Sequence, residues 1–71
     1  MRKYLVVIEE TGTGYSAYSP DLPGCVTTGA TRENVEENMG EAIRLHLETL
    51  RDDDQPLPEP HSCSVYVEVP A

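Results

Sequence analysis

One domain is the most that 71 residues can form, and 13 acidic against 5 basic residues leave a net charge of −8. That balance argues against direct nucleic-acid binding, in which Lys and Arg must neutralise phosphates. So short a chain buries only about 60% of its unfolded surface and leans on a disulfide, a metal or a partner chain.

The first two supports find little in the sequence. Cys25 and Cys63 stand in no CxxC pattern, and His46 and His61 have no ligand spacing to them. Neither a metal nor a cofactor is expected, and a Cys25–Cys63 bridge would require their strands to be neighbours. An additional chain is the support that remains. Arg2 and Lys3 precede a short apolar run that ends at Glu9 and Glu10. This is too brief for a signal peptide or a membrane span, so the expectation is a soluble cytoplasmic chain without membrane contact.

Residues 3–10 are predicted as a first strand, with Tyr4, Val6 and Ile8 on one face and Leu5 and Val7 on the other. A strand apolar on both sides needs cover on both, and one helix covers only one side. The Leu5/Val7 side is therefore a candidate surface for another chain. Thr11-Gly12-Thr13-Gly14 reads as a hairpin turn rather than a nucleotide loop, because no helix follows it and the third glycine is absent. Residues 15–19 form a second strand, with Tyr15 and Ala17 on one face and Tyr18 on the other.

Ser19-Pro20-Asp21-Leu22-Pro23-Gly24-Cys25 comes next. Two prolines and a glycine exclude a helix or a central strand here, so the stretch is a rigid corner leading to a third strand at residues 25–28. Thr31 is a candidate N-cap, with Asn34 rather than Glu or Gln at the capping-box position. Val35, Met39, Ala42, Ile43, His46, Leu47 and Leu50 then recur at helical spacing over residues 32–51. His46 reads as a packed core or interface residue, since no group that would orient a general base accompanies it. Asp52, Asp53 and Asp54 read as a solvated helix end, and the alternating prolines of residues 56–60 as an extended connector. A last strand over residues 62–69 places Cys63, Val65, Val67 and Val69 opposite Ser64, Tyr66 and Glu68, and is expected to return beside the first.

The order β-β-β-α-β gives an α+β fold, a small antiparallel sheet with one helix on one face. As a whole the pattern resembles the HicB-like antitoxin family. The resemblance is carried by residues 14–25, by Gly29-Ala30-Thr31, by the helix with Glu36, Asn38, Glu41-Ala42-Ile43 and His46-Leu47, and by residues 56–60. It implies a partly reduced ribonuclease-H-like fold across a single domain, residues 1–71. It also implies a non-enzymatic role: binding a small basic HicA-type toxin, an mRNA-cleaving ribonuclease, and covering its active site. Full-length family members usually add a C-terminal DNA-binding domain, and this sequence stops after the expected fourth strand, so operator binding by this chain alone is not expected.

Three readings compete. In the first the chain neutralises a toxin, and the acidic balance suits a basic partner. The second is an orphan homo-oligomeric domain, dimer or tetramer, that binds another protein or a small ligand. For either, the candidate interface is Leu5, Val7 and Tyr18 on the outer sheet face with Asp21, Leu22, Pro23 and Gly24 at the corner, and the unpaired edge of so small a sheet invites self-pairing as well. The third, a residual nuclease, needs carboxylates converging on metals about 4 Å apart. Glu9 and Glu10 point to opposite faces, so that constellation is missing.

Overall fold

The computed structural model describes residues 2–71, and its elements follow from the patterning with shifted ends. They are β1 (Val7–Glu10), β2 (Tyr15–Tyr18), β3 (Val26–Gly29) and α1 (Arg32–Asp52). The strands form an antiparallel meander in the order β1-β2-β3. Val7 stands opposite Tyr18 and Tyr18 opposite Val26, while Ile8, Ala17 and Thr27 form the next row. Successive side chains alternate between faces, so these rows lie on opposite sides of the sheet. β1 begins four residues later than expected, because residues 3–6 pair with no strand. Tyr4 instead donates its hydroxyl hydrogen to the Pro58 carbonyl at 2.5 Å.

The helix covers the Ile8–Ala17–Thr27 side. Val35 and Met39 are fully buried there with Ala17, Leu22 and Cys25, and Tyr4, Val6, Ile8, Tyr15, Ala42, Ile43 and Leu47 pack around them. α1 lies chiefly over β3 and β2 and scarcely reaches β1. Its close seat on β3 depends on Gly29: a Cβ there would fall 2.6 Å from the Val35 nitrogen.

Both helix ends are closed by local hydrogen bonds. The Asn34 amide N–H donates to Thr31 Oγ1 at 3.0 Å, and Asn34 Oδ1 accepts from the Ala30 N–H at 3.1 Å. Asn34 thus completes a reciprocal cap, reaching one residue further back than Glu or Gln does in a capping box. At the other end Asp54 adopts φ +55°. The Gln55 N–H reaches Leu50 O at 2.8 Å and the Asp54 N–H reaches Arg51 O at 3.1 Å. This is a Schellman closure, with aspartate tolerating the left-handed conformation usually given to glycine. The aspartates end the helix through backbone geometry as well as charge.

The expected fourth strand does not join the sheet. Among the described residues, no backbone hydrogen bond links 62–69 to any strand. Val65 is 82% exposed and Tyr66 is fully exposed. The connector before it is docked: Arg2 and Tyr4 both donate to Pro58 O, and Ser62 is held at the corner. Past Ser62 the chain is exposed, with Ser64 and Tyr66 lining a groove beside Leu5–Ile8. The radius of gyration is 13.9 Å with a longest extent of 48 Å, against about 11 Å for a compact domain of this length. The α+β architecture therefore stands with three strands instead of four. The physical reason is cover, because α1 does not extend past β1 to shield a fourth strand of valines.

Candidate functional site

The corner is two successive β-turns. The Leu22 N–H donates to Ser19 O at 3.1 Å, and the Cys25 N–H donates to Leu22 O at 3.1 Å. Pro20 and Pro23 each occupy the second position of a turn, where a fixed φ is an advantage. Gly24 has φ +81°, as the third position of a type II turn requires. The Ser19 N–H to Cys25 O bond, 3.4 Å long, ties the two ends together. This geometry turns Leu22 into the core at 1% exposure and Asp21 inward at 5%, leaving Pro23 and Gly24 at the exposed tip.

Asp21 is the clamp of the C-terminal segment. Its Oδ2 accepts the backbone N–H groups of His61 and Ser62, both at 3.1 Å, and its Oδ1 accepts the Ser62 hydroxyl at 2.7 Å. His61 Nδ1 lies 3.3 Å from the same Oδ1. These bonds, the Ser62 hydroxyl foremost, hold the Asp21 carboxyl below its ordinary value of 3.8 against the opposing effect of burial. Sequence patterning marked Asp21 as a turn residue facing its own backbone or a partner. Its real donors lie 40 and 41 residues away, and no local signal reveals them.

Among the described residues, no helix or strand covers the outer sheet face. Its middle row is Val7, Tyr18 and Val26, with Tyr18 41% and Val26 66% exposed; Leu5 and Val7 are half-buried. Leu5, Val7, Tyr18, Pro23 and Gly24 are thus in position to meet a partner. The Asp21 and Leu22 side chains are not, because the double turn commits them to the interior. Val26 was missed by the sequence reading, although its place beside the buried Cys25 in an alternating strand is the signal that finds it. A shallow groove of about 310 Å³ continues from the corner past Val26 to Leu45, His46 and Thr49, and Leu45 is itself half-exposed. His46 accordingly sits half-buried at an edge of the helix stripe.

Chemically, this arrangement is an exposed apolar row beside a rigid turn. Among the described residues no group of three or more His, Cys, Asp or Glu could hold a metal ion. Both cysteines are free, with Cys25 buried and Cys63 exposed, and burial pushes the Cys25 thiol up. Among the described residues no helix is long and apolar enough to cross a membrane.

The model of a HicB-like antitoxin of bacterial toxin–antitoxin systems matches residues 4–71. The chain belongs to the HicB-like antitoxin family. Among its relatives, a UPF0150 protein of Thermoplasma acidophilum is 35% identical over 66 residues, covering 92% of this chain and 96% of its own. A UPF0150 protein of Synechocystis is 42% identical over 57 residues, covering 79% and 72%. A 14.9 kDa protein from the rep–hol intergenic region of Haemophilus phage HP1 is 36% identical over 67 residues, 94% of this chain. The HicB-like chain spans 50% of that phage protein's length. In structure it resembles a chain of a solved HicA3 and HicB3 toxin–antitoxin complex, with a TM-score of 0.73 and 35% identity over 84% of this chain and 70% of that one.

Proposed function

We propose that this chain is the antitoxin half of a toxin–antitoxin pair, and that it binds a small basic HicA-type ribonuclease and covers its active site. The observation that carries the reading is the likeness, in sequence and in fold, to a chain of a toxin–antitoxin complex. Two physical features support it. The net charge of −8 attracts a partner built to hold RNA phosphates and speeds their encounter. The bare row Val7–Tyr18–Val26, continued by Pro23 and Gly24 at the corner, supplies an aromatic anchor in an apolar patch of the kind that dominates interface energies. The role is inhibition by occupancy in the cytoplasm, with no reaction catalysed by this chain.

The test is co-purification from the native host followed by an RNA-cleavage assay. A stoichiometric basic chain whose ribonuclease activity falls in proportion to added antitoxin is the expected outcome. Recovery of the chain only with itself overturns the reading and leaves the second one, a homo-oligomeric domain without a toxin. The exposed apolar segment at residues 63–69 is the observation favouring that alternative.

A further inference from the structure

The core that α1 makes with the sheet ends, in sequence, at Leu47, and no residue past the helix is fully buried. The chain beyond the helix is held in another way. Among the described residues, the polar ties from residues 56–71 to the body run to two places. At the first, Arg2 and Tyr4 donate to the Pro58 carbonyl, and the Arg2 guanidinium lies 3.2 Å from a Glu59 carboxylate oxygen. At the second, the Asp21 carboxylate collects the His61 and Ser62 N–H groups and the Ser62 hydroxyl. Leu57, Pro58 and Pro60 are half-buried along the way.

We propose that residues 56–62 are a strap that opens and closes as one unit, with both ties made or broken together. The strap thereby controls when the Asp21 carboxylate is open to water or to a cationic group. Three observations carry this. The first is stiffness. Pro56, Pro58 and Pro60 stand at alternate positions and each fixes its own φ, so loosening the chain at Pro58 displaces His61 and Ser62 as well. The second is burial. A segment that places no side chain in the core opens for less free energy than the elements that build it.

The third is what lies beneath. Asp21 is 5% exposed, and the donors that satisfy it belong to the strap. A carboxylate left without donors in such a place must take up water or a new cationic partner. The exposed tip of the corner, Pro23 and Gly24, adjoins it, so the open strap adds a negative charge to the surface assigned to a basic partner. That consequence rests on the antitoxin reading; the opening itself does not.

The test uses the full chain without a partner. Native-state hydrogen exchange is expected to give His61 and Ser62 one shared opening free energy, below that of the Val35 and Met39 amides, which report the core. Tyr4→Phe removes the hydroxyl bond to Pro58 and none to Asp21, and should still speed exchange at His61 and Ser62 by about three- to tenfold. Ser62→Ala should speed it at His61 by at least about tenfold and shift the Tyr4 ring resonances. Labelling of carboxyl groups with a water-soluble carbodiimide and glycinamide should reach Asp21 far more slowly than the exposed Asp52, Asp53 and Asp54. Tyr4→Phe should raise the Asp21 rate by the same factor as the exchange. Circular dichroism should show unchanged helix in both variants.

A Tyr4→Phe chain with unaltered exchange at His61 and Ser62 shows the two ties to be independent and overturns the proposal. So does an opening free energy at those amides equal to that of Val35, or a wild-type Asp21 labelled as fast as Asp53. None of these outcomes decides whether the chain inhibits a ribonuclease, which the cleavage assay reads separately.

Discussion

Two rows of one sheet, a single residue apart, have opposite fates. Ile8, Ala17 and Thr27 lie under the helix, with Ala17 at 2% exposure, while Val7, Tyr18 and Val26 face outward, with Val26 at 66%. The residues are of similar kind on both sides. The difference is that the chain makes one helix, and a single helix shields one face. Burial on the inner side holds the fold together, and apolar surface left on the outer side is available to another chain. The contrast teaches that a single helix decides which apolar row is buried and which is left exposed.

The sharpest way to break the contrast is from the inside. Met39→Ala or Leu22→Ala removes a side chain at 1% exposure and is expected to cost about 2–5 kcal/mol. That is a large part of the roughly 4–11 kcal/mol that a chain of this size holds in total, and urea denaturation reads it as a lower midpoint. From the outside, Tyr18→Asp or Val26→Asp should cost no more than about 1 kcal/mol of stability in urea. The same changes should weaken toxin binding by roughly 2 kcal/mol, about thirtyfold, measured by calorimetry. Leu5→Asp and Val7→Asp are expected to disrupt assembly in the same direction. Equal loss of stability from both rows would erase the distinction between them.

Asp21 sharpens the comparison at the point where body and tail meet. Because its carboxyl is lowered in the folded chain, its contribution is fully present above the ordinary value of 3.8. It is lost as pH falls through the lowered folded value. The exchange-protection factors of the His61 and Ser62 amides should therefore persist in mild acid and fall only as pH drops through that lowered value. Asp21→Asn should release them at every pH while leaving the Met39 environment unchanged. The smallest effect is expected at the helix start, where Thr31→Ala loses the bond from the Asn34 N–H at about 1 kcal/mol, again read in urea.

Much of this was legible beforehand because it is local. Pro20, Pro23 and Gly24 announce the corner, since each restricts or frees φ where a turn needs it. Thr31 and the spacing from Val35 to Leu47 announce the helix. Alternation put Val7 and Tyr18 on one face, and the register sets them opposite each other there. The errors sit where a residue's fate depends on distant chain. Asp21 and Leu22 looked available at the corner, but one clamps residues 61 and 62 and the other fills the core. Residues 62–69 have strand chemistry and no strand partner, because pairing is a property of two segments and cover is a property of three.

The sequence by itself determined the three-stranded meander, the helix with its N-terminal cap, the rigid corner and the acidic balance. Each of these rests on φ preferences, side-chain periodicity or charge, which act within a few residues. Only the tertiary structure decided that the Asp21 carboxylate turns inward to hold the C-terminal segment and that the last valines remain uncovered. Those outcomes depend on the area one helix can shield and on hydrogen bonds between groups 40 residues apart.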